Sequence, residues 1–415
     1  MHHPTTSRRR HLAVAGLATA AAIALAGCST GSAPAASETA PATAEASTPA
    51  EPGQRLAIAY DGGIAVLDAA SLEQVADLPL DGFNRLNTAG DGEHVLVTTE
   101  GGFQVLATGA TGGDAELTDT MFPATTPGHV VRHEGRTVLF DDGTGDFHLF
   151  ETDALLGADG LPEMETLESE AAHHGVAVQL ADGTILSTLG DSESRSGVRV
   201  LDDHGHETAR FEECPAVHGE GVAAGEAVLF GCEDGVLTYI DGAFAKLASP
   251  DAFGRVGNAY VTEGSPIAVV DYKDDPDAEG SLLHSIALVD TGAIRDGAVE
   301  DGAQLDVVPL PDRVSYTWRG IGRDDAGDAW LLGTDGGIHR IDVTTGQLVD
   351  SYPVIEAWEG PSEWQEAHPA LLVDGDTAIV TEPASNAVHR IDLATGEVLA
   401  TGTIAGAPNE LALAG

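Results

Sequence analysis

Short apolar segments alternate with polar turns along nearly the whole chain from residue 55 onward. Runs of Val, Ile, Leu and Thr are separated by Asp-Gly and Thr-Gly pairs, and apolar residues with a helical period are almost absent. This spacing is typical of antiparallel strands joined by tight turns. The hydrophobic pattern therefore predicts an all-β fold for residues 54–415.

A longer phrase recurs on top of this alternation: an apolar strand that ends in Asp, a turn, and a further strand. It occurs at three places, with the closing Asp given after each range: 63–75 (Asp68), 337–348 (Asp342) and 387–398 (Asp392). We interpret it as the third and fourth strands of a β-propeller blade, because repeats of about 40–50 residues are the signature of propellers. The repeats are too long for a parallel β-helix and too regular for a β-sandwich.

The positions that open each repeat give the number of blades. They are Asn84, His129, His174, His218, a weakly marked one at 255–258, Trp318, His368 and Asn409. The chain ends soon after Asn409, so the last blade needs the strands at 55–80 for completion, and both termini close the ring. We predict eight blades, with seven as the alternative because the fifth is indistinct. The acidic segment 271–280 is expected to be an insertion in that fifth blade.

Four histidines hold the same position in the repeat: His129, His174, His218 and His368. First strands line the central channel of a propeller, so equivalent positions in different blades converge at one mouth. Three or four imidazoles around one point suit zinc, which prefers a tetrahedral set of such ligands. A hydrogen-bonded structural role is the alternative for each histidine.

Other polar residues near these histidines are weaker candidates. His173 is one residue out of phase and is expected to point away, unless the chain bends at Gly175. Glu220 shares a strand face with His218, either as a ligand or as a partner that fixes an imidazole tautomer. A second, looser site is a further hypothesis, built from His133, His148, Asp141, Asp142 and Asp146.

Motifs of common enzymes are absent from the sequence. It contains no Gly-x-Ser-x-Gly elbow, no phosphate-binding glycine loop of the Walker or Rossmann type, and no His-Glu-x-x-His. A zinc ion with an open position activates water, which leaves a metal-assisted lactonase or other hydrolase as an alternative. No residue stands out as a general base, and we predict that the protein is not an enzyme.

Residues 1–28 have the composition of a secretory leader. Three arginines at 8–10 precede an apolar run at 12–26 that is too short and wrongly flanked for a membrane-spanning helix. The leader ends in Leu-Ala-Gly-Cys, a lipobox that would make Cys28 the lipid-bearing first residue; an ordinary signal with an accidental cysteine is the alternative. Residues 29–53 lack bulky apolar side chains and are expected to form a flexible tether.

The charge of the chain narrows the range of partners. The formal net charge is −48, and loss of a leader with three Arg and no acidic residue makes it −51. Such a charge repels nucleic acid and anionic membrane surfaces, so the lipid is the expected membrane contact. The charge favours solubility outside the cell.

Two cysteines remain after the lipid anchor, Cys214 and Cys232. In an oxidising compartment a disulfide between adjacent strands is favoured over a thiolate metal pair.

Several blocks of this sequence resemble the zinc metallochaperone AztD family. They are GHVVRHEGRTVLFDDGTGDFHLF, AAHHGVAVQLADGTILS, the CPAVHGEG and LFGCEDGVL segments, and HPALLVDGD. The similarity covers most of 54–415, is densest at 128–240 and is weak at 258–310. One departure is that the tether at 29–53 has no histidine, whereas some members of the family carry a His-rich arm.

The resemblance implies an extracytoplasmic propeller that passes zinc to the solute-binding protein of a zinc ABC importer. It implies zinc held at the mouth by His129, His174, His218 and His368, with His173 as a substitute, and a structural bridge between the two cysteines. We expect a monomer anchored to the outer face of the membrane, whose zinc affinity falls below about pH 6.5 as imidazole is protonated. A non-enzymatic binding scaffold at the cell surface is the main alternative.

Overall fold

The computed structural model describes residues 52–157, 160–278, 280–294, 297–299 and 304–415. The predicted leader with Cys28, and nearly all of the predicted tether, lie outside the described residues. In the described part, thirty-two strands form eight antiparallel sheets of four strands each. The structure is an eight-bladed β-propeller, which confirms the predicted fold and excludes the seven-bladed alternative.

Blades are numbered from the first one that is built of consecutive strands, and the strands of the first four are as follows. Blade 1 has β4 (Leu86–Thr88), β5 (His94–Thr99), β6 (Gly102–Ala107) and β7 (Glu116–Pro123). Blade 2 has β8 (Pro127–His133), β9 (Arg136–Asp141), β10 (Phe147–Glu151) and β11 (Glu165–Leu167). Blade 3 has β12 (Ala177–Gln179), β13 (Ile185–Gly190), β14 (Arg195–Leu201) and β15 (Glu207–Phe211). Blade 4 has β16 (His218–Ala223), β17 (Ala227–Cys232), β18 (Gly235–Ile240) and β19 (Ala243–Ala248).

The remaining blades follow the same plan. Blade 5 has β20 (Ala259–Tyr260), β21 (Ile267–Tyr272), β22 (Ser285–Asp290) and β23 (Asp306–Pro309). Blade 6 has β24 (Ile321–Arg323), β25 (Ala329–Leu332), β26 (Gly337–Asp342) and β27 (Gln347–Pro353). Blade 7 has β28 (Leu371–Asp374), β29 (Thr377–Glu382), β30 (Ala387–Asp392) and β31 (Val398–Thr403). Blade 8 joins β32 (Leu411–Ala414) to β1 (Arg55–Tyr60), β2 (Gly62–Asp68) and β3 (Gln74–Leu80). Short 3-10 helices lie at Thr152–Leu155, Thr291–Ala293 and Pro383–Ser385.

Both ends of the described chain close the ring, as predicted. Strand β32 is the innermost strand of blade 8 and pairs antiparallel with β1, with Arg55 opposite Ala414 and Ile58 opposite Leu411. The closure leaves no blade without its inner strand, so no sheet edge is opened at the seam.

The core lies between neighbouring blades. The second and third strands are apolar on both faces because each blade packs against two others; all residues of β17, for example, are buried. Phe103 and Phe122 of blade 1 pack with Leu139 and Phe150 of blade 2, and the two phenylalanine rings Phe122 and Phe150 stack at 4.9 Å. Similar apolar clusters fill the other blade interfaces.

Two features of the repeat are explained by local contacts. The Asp that ends the third strand turns the corner: Oδ1 of Asp68 accepts the N–H groups of Ala70 and Ser71, at 3.2 and 2.8 Å. The fifth blade is weakly marked because its inner strand, β20, has only two residues. The segment between β21 and β22 holds most of 271–280, as the insertion hypothesis expects.

A disulfide joins Cys214 to Cys232, with the two Cα atoms 5.0 Å apart. It ties the segment that enters blade 4 to the end of β17, and both cysteines are fully buried. Among the described residues, no helix has the length and apolar character needed to cross a membrane.

Candidate metal centre

Three histidines from three consecutive blades converge at one mouth of the channel: His129, His174 and His218. One ring nitrogen from each lies within 4.8 Å of the others. Nε2 of His174 is 3.3 Å from Nε2 of His129 and 3.1 Å from Nε2 of His218. Two zinc-bound nitrogens at about 2.0–2.1 Å in a tetrahedron are themselves about 3.3 Å apart. The two distances from His174 therefore match edges of a zinc coordination tetrahedron.

Irregularities in the inner strands aim these rings. The β8–β9 register shifts between Pro127 and Val130, around His129, and the β16–β17 register shifts just after His218. Such bulges redirect a side chain relative to a regular strand. Gly219 within the second bulge has φ +65°, and a Cβ there would lie 2.5 Å from the Gly257 carbonyl oxygen. A larger residue at 219 would displace the carbonyl that orients His218.

Hydrogen bonds on the far side of two rings fix which nitrogen faces the cluster. Nδ1 of His174 lies 2.5 Å from Oδ2 of Asp142, and Nδ1 of His218 lies 2.6 Å from the Gly257 carbonyl oxygen. A carbonyl oxygen only accepts, so Nδ1 of His218 carries the proton, and a carboxylate imposes the same on His174. Each Nε2 is then a lone-pair acceptor. Two such lone pairs 3.1 Å apart repel one another unless a cation lies between them.

The surroundings keep the His129 and His218 rings neutral. Burial is the main effect that lowers the pKa of His218, to about 3. The hydrogen bond to the Gly257 carbonyl opposes this shift, and repulsion by His174 and the nearby arginines adds to it. Burial and the neighbouring His218 and His174 rings hold the pKa of His129 well below its usual range. Neutral imidazole is the metal-binding form, so both residues are ready to bind at neutral and mildly acidic pH.

The structure does not bring His368 into the cluster. It occupies the predicted repeat position, three residues before β28, but blade 7 is on the far side of the ring from blades 2, 3 and 4. Its Nδ1 donates to the Glu366 carbonyl at 2.7 Å, its ring stacks on Trp358 at a centroid distance of 6.4 Å, and its buried Nε2 has no partner. The repeat shows that His368 has the same position within its blade as the other three histidines. Side chains at that position meet only when their blades are close neighbours in the ring.

His173 also lies outside the cluster. Its Nδ1 is 2.9 Å from the Ala171 carbonyl oxygen and its Nε2 is 3.1 Å from Oγ1 of Thr188, so both nitrogens are engaged. The ring is buried against Phe140. The expectation that an out-of-phase histidine points elsewhere agrees with this placement.

The other candidates are separated as well. Glu220 lies deeper in the channel, where burial raises its pKa to about 7 against the opposing effect of His133 and Arg132. Apart from the three-histidine cluster, the described residues contain no group of three or more His, Cys, Asp or Glu side chains placed to hold one metal ion. The members of the hypothetical second site have other partners: His133 contacts Glu226, His148 contacts Thr166, Asp141 caps the Thr125 and Thr126 N–H groups, and Asp142 holds His174.

A cavity of about 600 Å³ opens beside the three histidines. Its walls include four cationic side chains, Arg85, Arg195, Arg255 and Lys273, and two tryptophans, Trp318 and Trp364. Sequence reasoning assigned these residues no functional role, and it missed the role of Asp142 beside His174. Arg195 begins β14 and Lys273 follows β21, whereas Arg85 and Arg255 lie at or beside repeat-opening positions, so the four cations share no single position in the repeat.

Comparison with known proteins supports the resemblance. No family model matches the chain. The curated protein "Zinc chaperone AztD" of Citrobacter koseri is 23% identical over 294 residues, which are 70% of this chain and 66% of that protein. The alignment thus spans just under two thirds of the curated relative. The crystal structure of apo AztD from Citrobacter koseri superposes with a TM-score of 0.71 at 21% identity, covering 87% of this chain and 97% of that one.

The chain resembles the zinc chaperone AztD. A second Citrobacter koseri AztD crystal structure gives a TM-score of 0.70 with the same coverage, so the propeller fold is shared along nearly the whole of that chain. The resemblance predicted from the sequence motifs is confirmed. AztD is named as a chaperone and not as an enzyme, in agreement with the prediction that this chain has no catalytic activity.

Proposed function

We propose that this protein is an extracytoplasmic zinc metallochaperone that delivers zinc to the solute-binding protein of a zinc ABC importer. The observation that carries the proposal is the convergence of three imidazole rings, from His129, His174 and His218, with Nε2 of His174 3.3 and 3.1 Å from the other two Nε2 atoms. Three imidazoles leave the fourth position of a zinc ion open. The similarity to a zinc chaperone supports zinc as the cargo.

The open fourth position provides a route for release. An acceptor that docks at the mouth can add its own ligand to the zinc before any histidine leaves, and the histidines can then be replaced one at a time. Of the three rings, the His174 side chain is the most exposed, at 41%, so it is the first ligand that an acceptor can displace. His173 and His368 take no part in this scheme.

The N-terminal predictions complete the proposal. Cleavage before Cys28 would yield a lipoprotein on the outer face of the membrane, with 29–53 as its tether and 54–415 as a monomeric carrier domain. Tethering to the membrane that holds the importer raises the effective concentration of carrier and acceptor for one another. Zinc exchange would then proceed through direct contact between the two proteins.

The test of zinc binding is metal content after zinc loading and desalting. We expect one retained zinc in the wild-type protein and none in a His129→Ala/His174→Ala/His218→Ala variant. A His204→Ala/His206→Ala variant is the matched control, because those histidines are exposed in a turn between β14 and β15. Loss of zinc in the control variant, or retention of zinc in the triple variant, would contradict the proposal that the three histidines bind the zinc.

Transfer is tested separately. Zinc-loaded protein is mixed with a zinc-free solute-binding protein, and the transfer rate is compared with the rate of zinc loss to a chelator that binds only free zinc. Transfer faster than dissociation supports direct handover. Equal rates would reduce the protein to a zinc store and contradict the chaperone proposal.

A further inference from the structure

The cavity beside the histidines carries a positive charge that the rest of the chain does not. The whole chain has 19 Lys and Arg against 67 Asp and Glu. The cavity wall has four cations and one carboxylate, that of Asp271. The four cations are hereafter called the basic collar: Arg85, Arg195, Arg255 and Lys273.

The collar forms no direct ion pair with the described residues, although the charges of Asp271 and Asp142 act on Arg255 and Arg195. None of its members lies within ion-pairing distance of a carboxylate belonging to the described residues. The Asp271 carboxylate accepts hydrogen bonds from the Gly257 and Asn258 N–H groups, at 2.5 and 3.0 Å, and from the Asn258 side chain, and makes no direct contact with a collar residue.

Two of the arginines have buried donors without a partner. Nε of Arg85 and Nη1 of Arg195 are buried and make no hydrogen bond. By contrast, Arg255 donates to the Ala216 carbonyl oxygen and Lys273 to that of Ala278. Arg85 also lies over the Trp318 ring at 5.4 Å. A buried guanidinium donor without an acceptor is costly, so it indicates a missing acceptor.

The basic collar and a zinc ion bound to the three histidines would repel one another, because both are positively charged. A divalent cation bound to three neutral imidazoles stays fully charged, and the collar arginines face the same cavity. Arg85, Arg195 and Arg255 act electrostatically on His129 and His218, so they also repel a cation bound there, and the protein interior screens this repulsion less than water does. An anion that reached both the open zinc position and the arginines would offset both charges.

We propose that the basic collar binds a carboxylate group, which supplies the fourth ligand of the zinc. Carboxylate oxygen is an ordinary zinc ligand, and guanidinium groups bind carboxylates in a matched planar geometry. The apolar wall formed by Leu282, Leu283 and Trp318 suits the carbon skeleton of the molecule that carries the carboxylate. The proposal rests on the proposed zinc site. The carboxylate comes either from a small organic acid or from an acidic segment of the acceptor, and the experiment separates these sources.

The experiment uses protein loaded with cobalt(II), whose visible absorption reports a change of ligand. Succinate, a hexaglutamate peptide and sulfate are titrated into the wild-type protein and into an Arg85→Gln/Arg195→Gln variant. We expect the carboxylate probes to change the spectrum with saturation, and the variant to bind them about tenfold or more weakly, because charge-assisted hydrogen bonds are lost. An Arg210→Gln/Arg340→Gln variant is the control, since it removes the same charge from arginines that are ion-paired elsewhere.

The probes identify the source. Peptide binding much tighter than succinate binding, with a steep salt dependence, assigns the collar to an acidic segment of a partner protein. Succinate binding at least as tight as that of the peptide assigns it to a free organic acid. Equal binding of sulfate, or an equal loss in both arginine variants, overturns the carboxylate site.

Failure of the zinc site is distinguishable from failure of the collar. If cobalt and zinc are not retained, the proposed function fails, and tryptophan fluorescence of the metal-free protein measures carboxylate binding instead. Carboxylate binding that still depends on Arg85 and Arg195 would keep the anion site without the metal. Retained metal with no carboxylate response would remove this inference and leave the zinc site intact.

Discussion

His174 and Asp142 form a hydrogen bond across a blade boundary, with Nδ1 of the imidazole 2.5 Å from Oδ2 of the carboxylate. Asp142 follows β9 in blade 2, whereas His174 precedes β12 in blade 3. The other oxygen of Asp142 accepts the Gly175 N–H at 3.3 Å. Gly128 leaves room for this carboxylate, since a Cβ at 128 would collide with Oδ1 of Asp142. The blade interface thereby holds the most exposed ring of the cluster in one orientation.

Replacement of Asp142 by Asn is expected to weaken zinc binding by about 10- to 100-fold, the usual cost of losing a carboxylate that orients a metal-binding histidine. The stoichiometry should stay at one zinc. The measurement is competition with a zinc chelator of known affinity. Asp202→Asn is the matched control, because Asp202 pairs with the exposed His206 at 3.3 Å and lies outside the cluster. An unchanged affinity for Asp142→Asn would contradict the proposed orientation.

The pH dependence of zinc affinity should be shallower than three ordinary histidines would give. Protons compete with zinc only near and below the pKa of each ligand. Burial lowers the pKa of His218 to about 3 and holds that of His129 well below its usual range. These two rings therefore stay neutral between pH 7.5 and 5, so at most one of the three ligands can contribute to proton competition in that range.

We accordingly expect the logarithm of the zinc affinity to fall with a slope of about one or less per pH unit over that range, where three histidines with a pKa of about 6.5 would approach a slope of three. Isothermal titration of zinc at several pH values checks this. The sequence alone predicted weakening from about pH 6.5, and the lowered pKa values of His129 and His218 reduce that expected effect. A slope near three would show that the rings are protonated as in a free peptide.

The sequence predicted the positions within the blades better than the contacts between blades. The strands that end in Asp can be predicted from the local sequence pattern. The equivalent positions of His129, His174 and His218 can be predicted from the same repeat. Whether His368 reaches the cluster depends on where its blade lies in the ring, and the position of a residue within the repeat does not give that information. The hydrogen bond between His174 and Asp142 depends on how two neighbouring blades pack, and the pattern of apolar and polar residues along the chain does not show this packing.

His173 and His368 are expected not to be zinc ligands. Replacement of His368 by Ala should change zinc affinity by no more than about twofold, as for a distant site that shares no partner with the ligands. His173→Ala, next to His174 in the chain, should cost far less affinity than the loss of a ligand. His218→Ala should lower the affinity by more than about 100-fold, beyond the cost of losing a supporting hydrogen bond. Folding is monitored by circular dichroism, because His173 and His368 are buried. A large loss of affinity in folded His368→Ala would require blade 7 to contribute to the site.

Removal of the disulfide by Cys214→Ala/Cys232→Ala is expected to lower the free energy of unfolding by about 3 kcal/mol, the value for a closed loop of this order of length. The bridge spans a sequence separation of 18 residues. Denaturant unfolding with and without reductant measures the effect. Reductant should lower the free energy of unfolding of the wild-type protein and leave that of the variant unchanged. An equal decrease in both proteins would mean that reductant does not act through this disulfide.

Arg319 and Glu410 form a buried ion pair between the chain segments that enter blades 6 and 8, with side chains only 5% and 8% exposed. Arg319 also donates to the Asn409 carbonyl oxygen at 3.2 Å, next to the closing strand β32. Glu410→Ala leaves a buried guanidinium without its counter-ion, so we expect a loss of about 3–5 kcal/mol in unfolding free energy. An Arg319→Met/Glu410→Leu variant should recover most of this loss, because an apolar pair of similar volume avoids the desolvation cost. Chemical denaturation of the three proteins decides the matter: a Glu410→Ala variant as stable as the wild type would mean that the buried pair does not stabilise the ring closure.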